Sequence, residues 1–323
     1  MYATDAKGPT MTQSLFEYNS ERLILSPDAI EPPVSLDNVI LNADARFALR
    51  SLPPQCADTI ITSPPYYGQR DYGDPHQVGI ESSINEYIEH IAGIFDDAYH
   101  VLHDRGTLWL NIGDKYIDGQ LSGLPWRVVF SLKERGWLLR SDIIWHKPNA
   151  MPSSVRTRPT PDHEYLFLFV KTPNYYYDSD AIREPHVTFT DKSRMRGGRN
   201  HFGKRGGTPE QGKNNGDQNL HDSRWDQAFH KKGRNKRTVW EVPLSKYRDA
   251  HFAVFPERLI EPCVKAGAPV GGLVLDPFFG AGTSGLVALK HQRRFIGIEI
   301  SRPYCEQAAK RLFPYLPHQT AAE

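Results

Sequence analysis

The sequence predicts an α/β protein with a doubly wound, mostly parallel sheet. Short apolar runs of strand length alternate with segments of helix length over most of the 323 residues. Most of these runs are almost continuously apolar, as is typical of strands covered on both faces. Two runs lead directly into stiff loops, Ser63–Tyr66 and Asp276–Thr283. Because ligands of open α/β sheets bind at the carboxyl ends of strands, we expect the two loops to form one site.

Seven segments have the length and composition of strands. They are Asn38–Leu41, Asp58–Thr62, Thr107–Ile112, Leu138–Trp145, Tyr165–Val170, Leu273–Leu275 and Phe295–Ile298. Helical periodicity is clearest in Tyr87–Leu102, where apolar residues recur on one stripe. The other predicted helices are Leu124–Lys133, Pro256–Ala266, Thr283–Lys290 and Pro303–Leu312.

The order of these elements is unusual. After Gly280 the chain has room for one more strand between two helices, whereas a nucleotide-binding half of this architecture normally contains a third strand. The candidate is Asn38–Leu41, near the other end of the sequence. We therefore predict that the last strand lies beside one of the first, as in a permuted sheet.

Composition shifts predict the domain organisation. Residues 1–36 form a proline-punctuated lead-in, 37–182 form the first half of the core, and 238–315 form the second half. Residues 183–237 are rich in Gly, Asn, Lys and Arg and poor in aliphatic residues, so we expect an insertion there. Residues 316–323 form a tail.

Several classes of protein are disfavoured by the composition. No apolar run approaches the roughly 20 residues of a membrane span, and the first 20 residues lack a secretory pattern. Cys56, Cys263 and Cys305 are too widely spaced for a disulfide framework or a zinc site. We expect a cytoplasmic protein that binds no metal and no membrane.

The charge is unevenly distributed. Residues 183–237 carry 14 Lys and Arg against 6 Asp and Glu, whereas the rest of the chain carries 25 against 32. An acidic body with one concentrated basic segment indicates a polyanionic partner that binds at one place.

The second loop has the features of a nucleotide site. Gly280, Gly282 and Gly285 fit a G-x-G-x-x-G pattern between a strand and a helix, and Glu299 follows 19 residues after Gly280. Glycines permit a tight turn and close approach of a ligand, and a carboxylate after the next strand can accept hydrogen bonds from ribose hydroxyls. The alternative is a glycine turn with a surface glutamate.

The residues around these glycines narrow the choice of ligand. A nicotinamide dinucleotide would use the same spacing, but Asp276 suits a cationic amino group and Phe278 offers a ring for stacking. Asp44 follows the candidate third strand, and its position fits two roles equally well. Its carboxylate either contacts an adenine amino group or caps the helix that follows.

The first loop suits a flat amine. Pro64 and Pro65 fix two φ angles and remove two N–H donors, which leaves carbonyls in a loop that cannot relax. Ser63 adds an oxygen that accepts hydrogen bonds, and Tyr66 supplies a ring face. We expect the –NH₂ group of a planar ring to point at the Ser63 hydroxyl and the Pro64 carbonyl; the alternative is a rigid turn without chemistry.

Together, the motifs Ser-Pro-Pro-Tyr and Asp-Pro-Phe-Phe-Gly-Ala-Gly-Thr resemble the beta-class amino-methyltransferases of DNA, and more narrowly their N4-cytosine members. The resemblance runs from about Asn38 to Phe313, without the basic insertion. Further matching segments are Gly106–Ile112, Ile144–Asn149, His163–Val170 and His251–Glu257. The resemblance implies a circularly permuted, seven-stranded, Rossmann-like methyltransferase fold, S-adenosylmethionine as cofactor and double-stranded DNA with a flipped cytosine as substrate.

The resemblance also implies roles for individual residues. The catalytic set is Ser63, Pro64, Pro65 and Tyr66. The cofactor-binding set is Asp44, Phe255, Asp276, Pro277, Phe278, Gly280, Gly282, Thr283 and Glu299. The basic insertion corresponds to the target recognition region, and its DNA-binding candidates are Arg194, Arg196, Arg199, Lys204, Arg205, Lys231, Lys232, Arg234, Lys236 and Arg237.

Alternatives remain open within this class. Adenine-directed members usually carry Asp at the position of Ser63, so DNA adenine-N6 methylation is the second candidate. Methylation at cytosine C5 requires a cysteine nucleophile. Cys263 falls in a predicted helix, and we expect it to be a core residue. The recognition sequence, a homodimeric state and a cognate restriction endonuclease are left open by the sequence.

Overall fold

A computed structural model describes residues 23–26, 36–69, 77–186, 232–244 and 255–317. The chain divides into two compact units. One comprises Met1–Asp178 and Thr238–Glu323, and the other comprises Ser179–Arg237. The second unit begins four residues before the insertion expected from the charge distribution.

In its described residues, the first unit contains a nine-stranded sheet. Its strands in chain order are β1 (Ile24–Leu25), β2 (Val39–Asn42), β3 (Ala57–Thr62), β4 (Leu102–Ile112), β7 (Leu138–His146), β8 (His163–Val170), β9 (Val239–Glu241), β10 (Leu273–Asp276) and β11 (Arg294–Glu299). A separate hairpin is formed by β5 (Tyr116–Ile117) and β6 (Gln120–Leu121). The order across the sheet is β1-β2-β11-β10-β3-β4-β8-β7-β9. Among these nine strands only β8 runs antiparallel to its neighbours, so the prediction of a mostly parallel sheet is confirmed.

The prediction of seven strands is corrected to nine. All seven predicted strands are present, and the additional ones are β1 with two residues and β9 with three. Strands this short show no periodicity in a sequence. Strand β4 also begins at Leu102 rather than Thr107. The first part of β4 has no apolar pattern, because His103–Arg105 are polar and exposed. In this part the pairing of β4 with β3 shifts register.

The last strand lies beside an early one, as predicted. Strands β11 and β2 pair in parallel, with Glu299 opposite Asn42. The side-chain amide of Asn42 donates to the carbonyls of Glu299 and Ile300, both at 3.0 Å. The carboxyl ends of β2, β11, β10 and β3 are therefore adjacent along one edge of the sheet.

Six α-helices accompany the sheet in the described residues. They are α1 (Ala45–Ser51), α2 (Ile84–Val101), α3 (Leu124–Glu134), α4 (Glu257–Gly267), α5 (Thr283–Lys290) and α6 (Arg302–Leu312). Helix α2 packs against both α1 and α3, and α5 packs against both α4 and α6. Two groups of helices around a central sheet are the arrangement of a doubly wound fold. The five predicted helices are confirmed, with ends shifted by up to three residues. None of the helices described is long and apolar enough to span a bilayer.

The loop after β10 is fixed by its packing against β11. The Phe279 ring stacks on Phe295, with centroids 5.4 Å apart, and its backbone N–H donates to Ile298 at 2.9 Å. The ring also lies directly over Gly297, where an added Cβ would overlap it. Gly297 is therefore required by the position of the Phe279 ring.

We expect Gly297→Ala to lower the free energy of unfolding by about 1–3 kcal/mol, because overpacking forces a side chain or the strand to move. Thermal unfolding measures the effect. The double variant Gly297→Ala/Phe279→Leu should recover part of the loss, since the smaller side chain relieves the overlap. An unchanged melting temperature in the single variant would show that the ring and the glycine are not in this contact.

Candidate active site

Residues of both predicted loops line one pocket at the carboxyl ends of β2, β3, β10 and β11. Eleven predicted site residues contribute to its wall. They are Asp44, Ser63, Pro64, Pro65, Tyr66, Phe255, Pro277, Phe278, Gly280, Thr283 and Glu299. Asp276 and Gly282 are not among the lining residues. The serine–proline corner and the glycine loop thus face the same pocket.

The loop after β3 is held rigidly. The rings of Pro64 and Pro65 restrict its backbone. In addition, the carbonyl of Pro65 accepts a hydrogen bond of 2.9 Å from the hydroxyl of the buried Tyr87. The Ser63 hydroxyl donates to the Tyr66 hydroxyl at 3.5 Å. Tyr66 in turn donates to a carboxylate oxygen of Glu164 at 2.8 Å. Burial and the neighbouring Glu164 raise the pKa of Tyr66 well above its usual value, so this phenol keeps its proton.

The pocket also contains residues to which the sequence assigns no role. Asn111, Trp145, Lys147 and Glu164 line it beside the Ser63 loop. Glu164 lies at the start of β8, and because that strand is antiparallel, its first residues reach the edge where the other strands end. One feature of the sequence could have identified these residues. Asn111 in β4 and Glu164 in β8 are polar side chains within otherwise apolar strands, near the strand end that reaches the pocket.

Asp276 lies beneath the loops rather than on the pocket wall. Its side chain is fully buried, and one carboxylate oxygen accepts from the Thr62 hydroxyl at 2.6 Å and from the Phe278 N–H at 3.0 Å. The other oxygen accepts from the Ser284 hydroxyl at 2.6 Å. Burial raises the pKa of Asp276 to about 6, against the lowering effect of these hydrogen bonds. The sequence-based expectation places Asp276 against a ligand amino group. In the structure its carboxylate joins the two strand ends from which the loops start.

Glu299 lies between the glycine loop and the chain after β11. One carboxylate oxygen accepts from the Gly280 N–H and the other from the Ser301 N–H, both at 2.8 Å. Burial raises the pKa of Glu299. A carboxylate has about four lone-pair sites, so these bonds leave acceptor capacity on a residue that lines the pocket.

The glycines of the loop have different surroundings. Gly280 has φ +51°, and apart from its two chain neighbours no described residue has an atom within 4 Å of the position that a Cβ would take. Since Gly280 also lines the pocket, a ligand can approach its backbone closely. Gly282 has φ +76°, but a Cβ there would lie 3.0 Å from that of Ala308 in α6. Gly282 therefore serves helix packing.

Asp44 caps helix α1 and also lies on the pocket wall. Its carboxylate accepts from the backbone N–H groups of Arg46 and Phe47, both at 3.0 Å, and so caps α1. It also lines the pocket. On the opposite loop, Thr283 accepts from Arg311 at 2.9 Å and Phe278 is half-buried.

Four of the predicted DNA-binding residues lie in the described part of the second unit. Lys232 pairs with Asp180 at 3.3 Å, and Arg234 and Lys236 pair with Glu184 at 3.3 and 3.2 Å. Arg237 is exposed. Counting charges along the sequence does not anticipate these pairings. The remaining candidates, Arg194, Arg196, Arg199, Lys204, Arg205 and Lys231, fall outside the described residues.

Cys263 is part of the core, as predicted. It is fully buried in α4, and its thiol contacts the Leu259 carbonyl at 3.7 Å. It does not line the pocket. Within the described ranges, no group of three or more His, Cys, Asp or Glu side chains could hold a metal ion.

A family model described as DNA methylase, for the N6 and N4 classes, matches residues 57–310. The chain belongs to this N6/N4 DNA methylase family. It is 39% identical to the type II methyltransferase M.Cfr9I of Citrobacter freundii over 310 residues, with 87% of this chain and 89% of the relative covered. It is 38% identical to the type II methyltransferase M.SmaI of Serratia marcescens, with 84% and 90% covered.

Solved structures share the fold of this methylase. The PvuII DNA methyltransferase, described as cytosine-N4-specific, superposes with a TM-score of 0.60 at 20% identity and covers 87% of each chain. The protein TTHA0409 of Thermus thermophilus, solved in complex with S-adenosyl-L-methionine, gives a TM-score of 0.56 at 22% identity, with 86% of this chain and 96% of that chain covered. At these identities the likeness concerns the fold.

The buried carboxyl of Asp276 predicts a specific pH dependence. A raised pKa in the folded state means that protonation stabilises the folded protein below about pH 4, and that this contribution is lost as the pH rises through about 6. Asp276→Asn carries no such proton. Its stability relative to the wild type should therefore improve by an amount on the order of 3 kcal/mol between pH 4 and pH 7.

Thermal or denaturant unfolding across this pH range measures the difference. Glu241→Gln is a matched control, because the Glu241 side chain is 71% exposed and the variant makes the same change in net charge. A stability difference between Asp276→Asn and the wild type that does not vary with pH would contradict the assigned burial.

Proposed function

We propose that this methylase transfers a methyl group from S-adenosylmethionine to the exocyclic N4 amine of a cytosine flipped out of double-stranded DNA. The observation that carries the proposal is the single pocket shared by the Ser63 loop and the glycine loop. One loop offers hydrogen-bond acceptors to an amine, and the other offers an open glycine backbone and a carboxylate. Their common pocket suits a reaction between a planar amine and a nucleoside cofactor.

The residues beside Gly280 fit the cofactor. The open space over the Gly280 backbone admits a ligand, Glu299 has acceptor capacity for ribose hydroxyls, and the half-buried Phe278 offers a ring face. Asp44 and Phe255 line the same pocket. S-adenosylmethionine bound there supplies an electrophilic methyl group. The residues Asp44, Phe255, Pro277, Phe278, Gly280, Thr283 and Glu299 would hold it.

The Ser63 hydroxyl and the Pro64 carbonyl act on the amine. The N4 amine of cytosine is conjugated with its ring and is a poor nucleophile, and a serine hydroxyl is not a strong base near neutral pH. Acceptance of hydrogen bonds from the –NH₂ group localises the nitrogen lone pair and stabilises the positive charge that develops there. Alignment of the reacting atoms in the rigid corner adds on the order of 7–11 kcal/mol. The nitrogen then loses its extra proton to water.

Aromatic side chains suit an extruded base. Tyr66 lines the pocket and provides a ring face for stacking. Extrusion of a base from a duplex costs a few kcal/mol, and stacking in the pocket offsets part of that cost.

Several finer features belong to the same proposal. The order of elements, with the Ser63 loop before the glycine loop, corresponds to a circularly permuted core. The basic second unit, Ser179–Arg237, would contact DNA phosphates and base edges as a target recognition region. The type II relatives support action in the bacterial cytoplasm together with a restriction endonuclease of the same specificity.

The test is nucleoside mass analysis of DNA from cells that express the protein, with sequencing to locate modified sites. We expect N4-methylcytosine within one short sequence. The matched control Ser63→Ala should lower methylation by about 100-fold or more while it retains cofactor binding, because it removes one stabilising contact to the amine. N6-methyladenine in place of N4-methylcytosine would establish the adenine alternative, and no modified base would overturn the proposal.

Glu299→Gln should weaken the binding of S-adenosylmethionine by about tenfold or more, since the amide offers fewer acceptor sites to ribose hydroxyls. Isothermal titration calorimetry measures the affinity. Glu306→Gln on the exposed side of α6 is the control, because Glu306 pairs with Arg302 in a surface contact and is 43% exposed. An unchanged affinity in Glu299→Gln would remove this residue from the ribose site.

A further inference from the structure

A chain of hydrogen bonds connects Ser63 to a charged pair that no part of the proposed mechanism has used. Ser63 donates to Tyr66, and Tyr66 donates to Glu164. An ionised carboxylate only accepts hydrogen bonds, and a phenol has a single proton. The proton of Tyr66 is therefore committed to Glu164, and only the lone pairs of its oxygen face Ser63.

This commitment sets the direction of the Ser63 hydroxyl. Because Tyr66 can only accept from Ser63, the Ser63 proton points to Tyr66, although at 3.5 Å the contact is at the long end of the hydrogen-bonding range. The lone pairs of the Ser63 oxygen are then left for the pocket, where an amine would donate. A reversed hydroxyl would present a proton to the amine and would repel it.

Glu164 is itself held in place from two sides. Its first carboxylate oxygen forms an ion pair with Lys147. The second accepts from the Asn111 amide at 3.1 Å as well as from Tyr66. The other Asn111 proton goes to the Tyr165 carbonyl at 3.0 Å, so the orientation of this amide is fixed. The ammonium group of Lys147 lies 4.4 Å from the centre of the Trp145 ring.

The burial of the Glu164–Lys147 pair strengthens the hydrogen bonds that Glu164 accepts. The side chains of Glu164 and Lys147 are only 16% and 14% exposed. Hydrogen bonds to a charged group in such surroundings are stronger than those between neutral groups. Gly113 adds a steric limit, since a Cβ there would lie 3.0 Å from the Tyr66 ring and 3.2 Å from the Glu164 carboxyl carbon.

We propose that Glu164, held by Lys147 and Asn111, is a positioning residue that orients the Tyr66 and Ser63 hydroxyls so that Ser63 presents an acceptor to the substrate amine. No proton moves along this chain during the reaction. The proposal rests on the proposed function, in which an amine enters the pocket. It assigns Glu164 an effect on turnover rather than on cofactor binding.

The experiment compares Glu164→Gln, Tyr66→Phe and the double variant in steady-state methylation of a duplex that contains the recognition sequence. A glutamine can turn its amide toward Tyr66 and reverse the chain, and phenylalanine removes the link while it keeps the ring. We expect each single variant to lower kcat by a factor on the order of 10 to 100, the range seen for outer partners of a site. KM for the cofactor should stay close to the wild-type value.

The double variant separates positioning from a general loss of structure. Both substitutions interrupt the same chain, so its kcat should be no lower than that of the slower single variant. Additive losses would show that Glu164 and Tyr66 act independently and would overturn the proposal. An unchanged kcat in Glu164→Gln would do the same.

Two controls complete the design. Glu241→Gln, on the neighbouring edge strand β9, changes an exposed carboxylate and should leave kcat unchanged. Glu164→Asp keeps the charge but shortens the reach to Tyr66. It should lower kcat as well, so the test does not depend on whether the glutamine variant folds. Wild-type protein that methylates no amine in DNA would refute the proposed function, whereas an active wild type with fully active Glu164 variants would refute only the positioning role.

Discussion

The hydrogen bond between Thr62 and the buried Asp276 carboxylate is the contact on which the site depends. Thr62 is the last residue of β3 and Asp276 the last of β10, so this bond of 2.6 Å joins the two strand ends from which both loops start. The same carboxylate binds the Phe278 N–H and the Ser284 hydroxyl, which fixes the start of the glycine loop and the first turn of α5. One buried acid therefore sets the distance between the Ser63 loop and the glycine loop.

The direction of a single strand determines the rest of the pocket. Since β8 is antiparallel, its first residues lie at the edge where β3, β4 and β7 end. Glu164 is thereby brought to Tyr66, Asn111 and Lys147, which come from three other parts of the chain. In an all-parallel sheet the start of β8 would lie at the opposite edge. The charged pair beside Ser63 is thus a product of topology.

The sequence predicts the central elements well because their physical causes are local. Apolar runs identify the seven longer strands, and helical periodicity identifies five helices within three residues. The short edge strands β1 and β9 depend on pairing with a neighbour and leave no such trace. The sequence identifies the motif residues of both loops. It does not determine the direction of the Asp276 side chain, because a residue at a strand end can face either the pocket or the layer beneath it. Glu164 was missed for a related reason, since its importance appears only when distant strands are aligned.

The pairing of β2 with β11 has a consequence for biogenesis. Asn42 and the carbonyls that it holds are 257 and 258 residues apart, and Glu299 belongs to the same strand end. Contacts of such long range form late, because loop closure must precede them. During translation, the nascent polypeptide can assemble much of the sheet around β3 and β4 before β11 has emerged from the ribosome. The Glu299 carboxylate is then added at the end of synthesis, so an incomplete chain cannot assemble the full pocket.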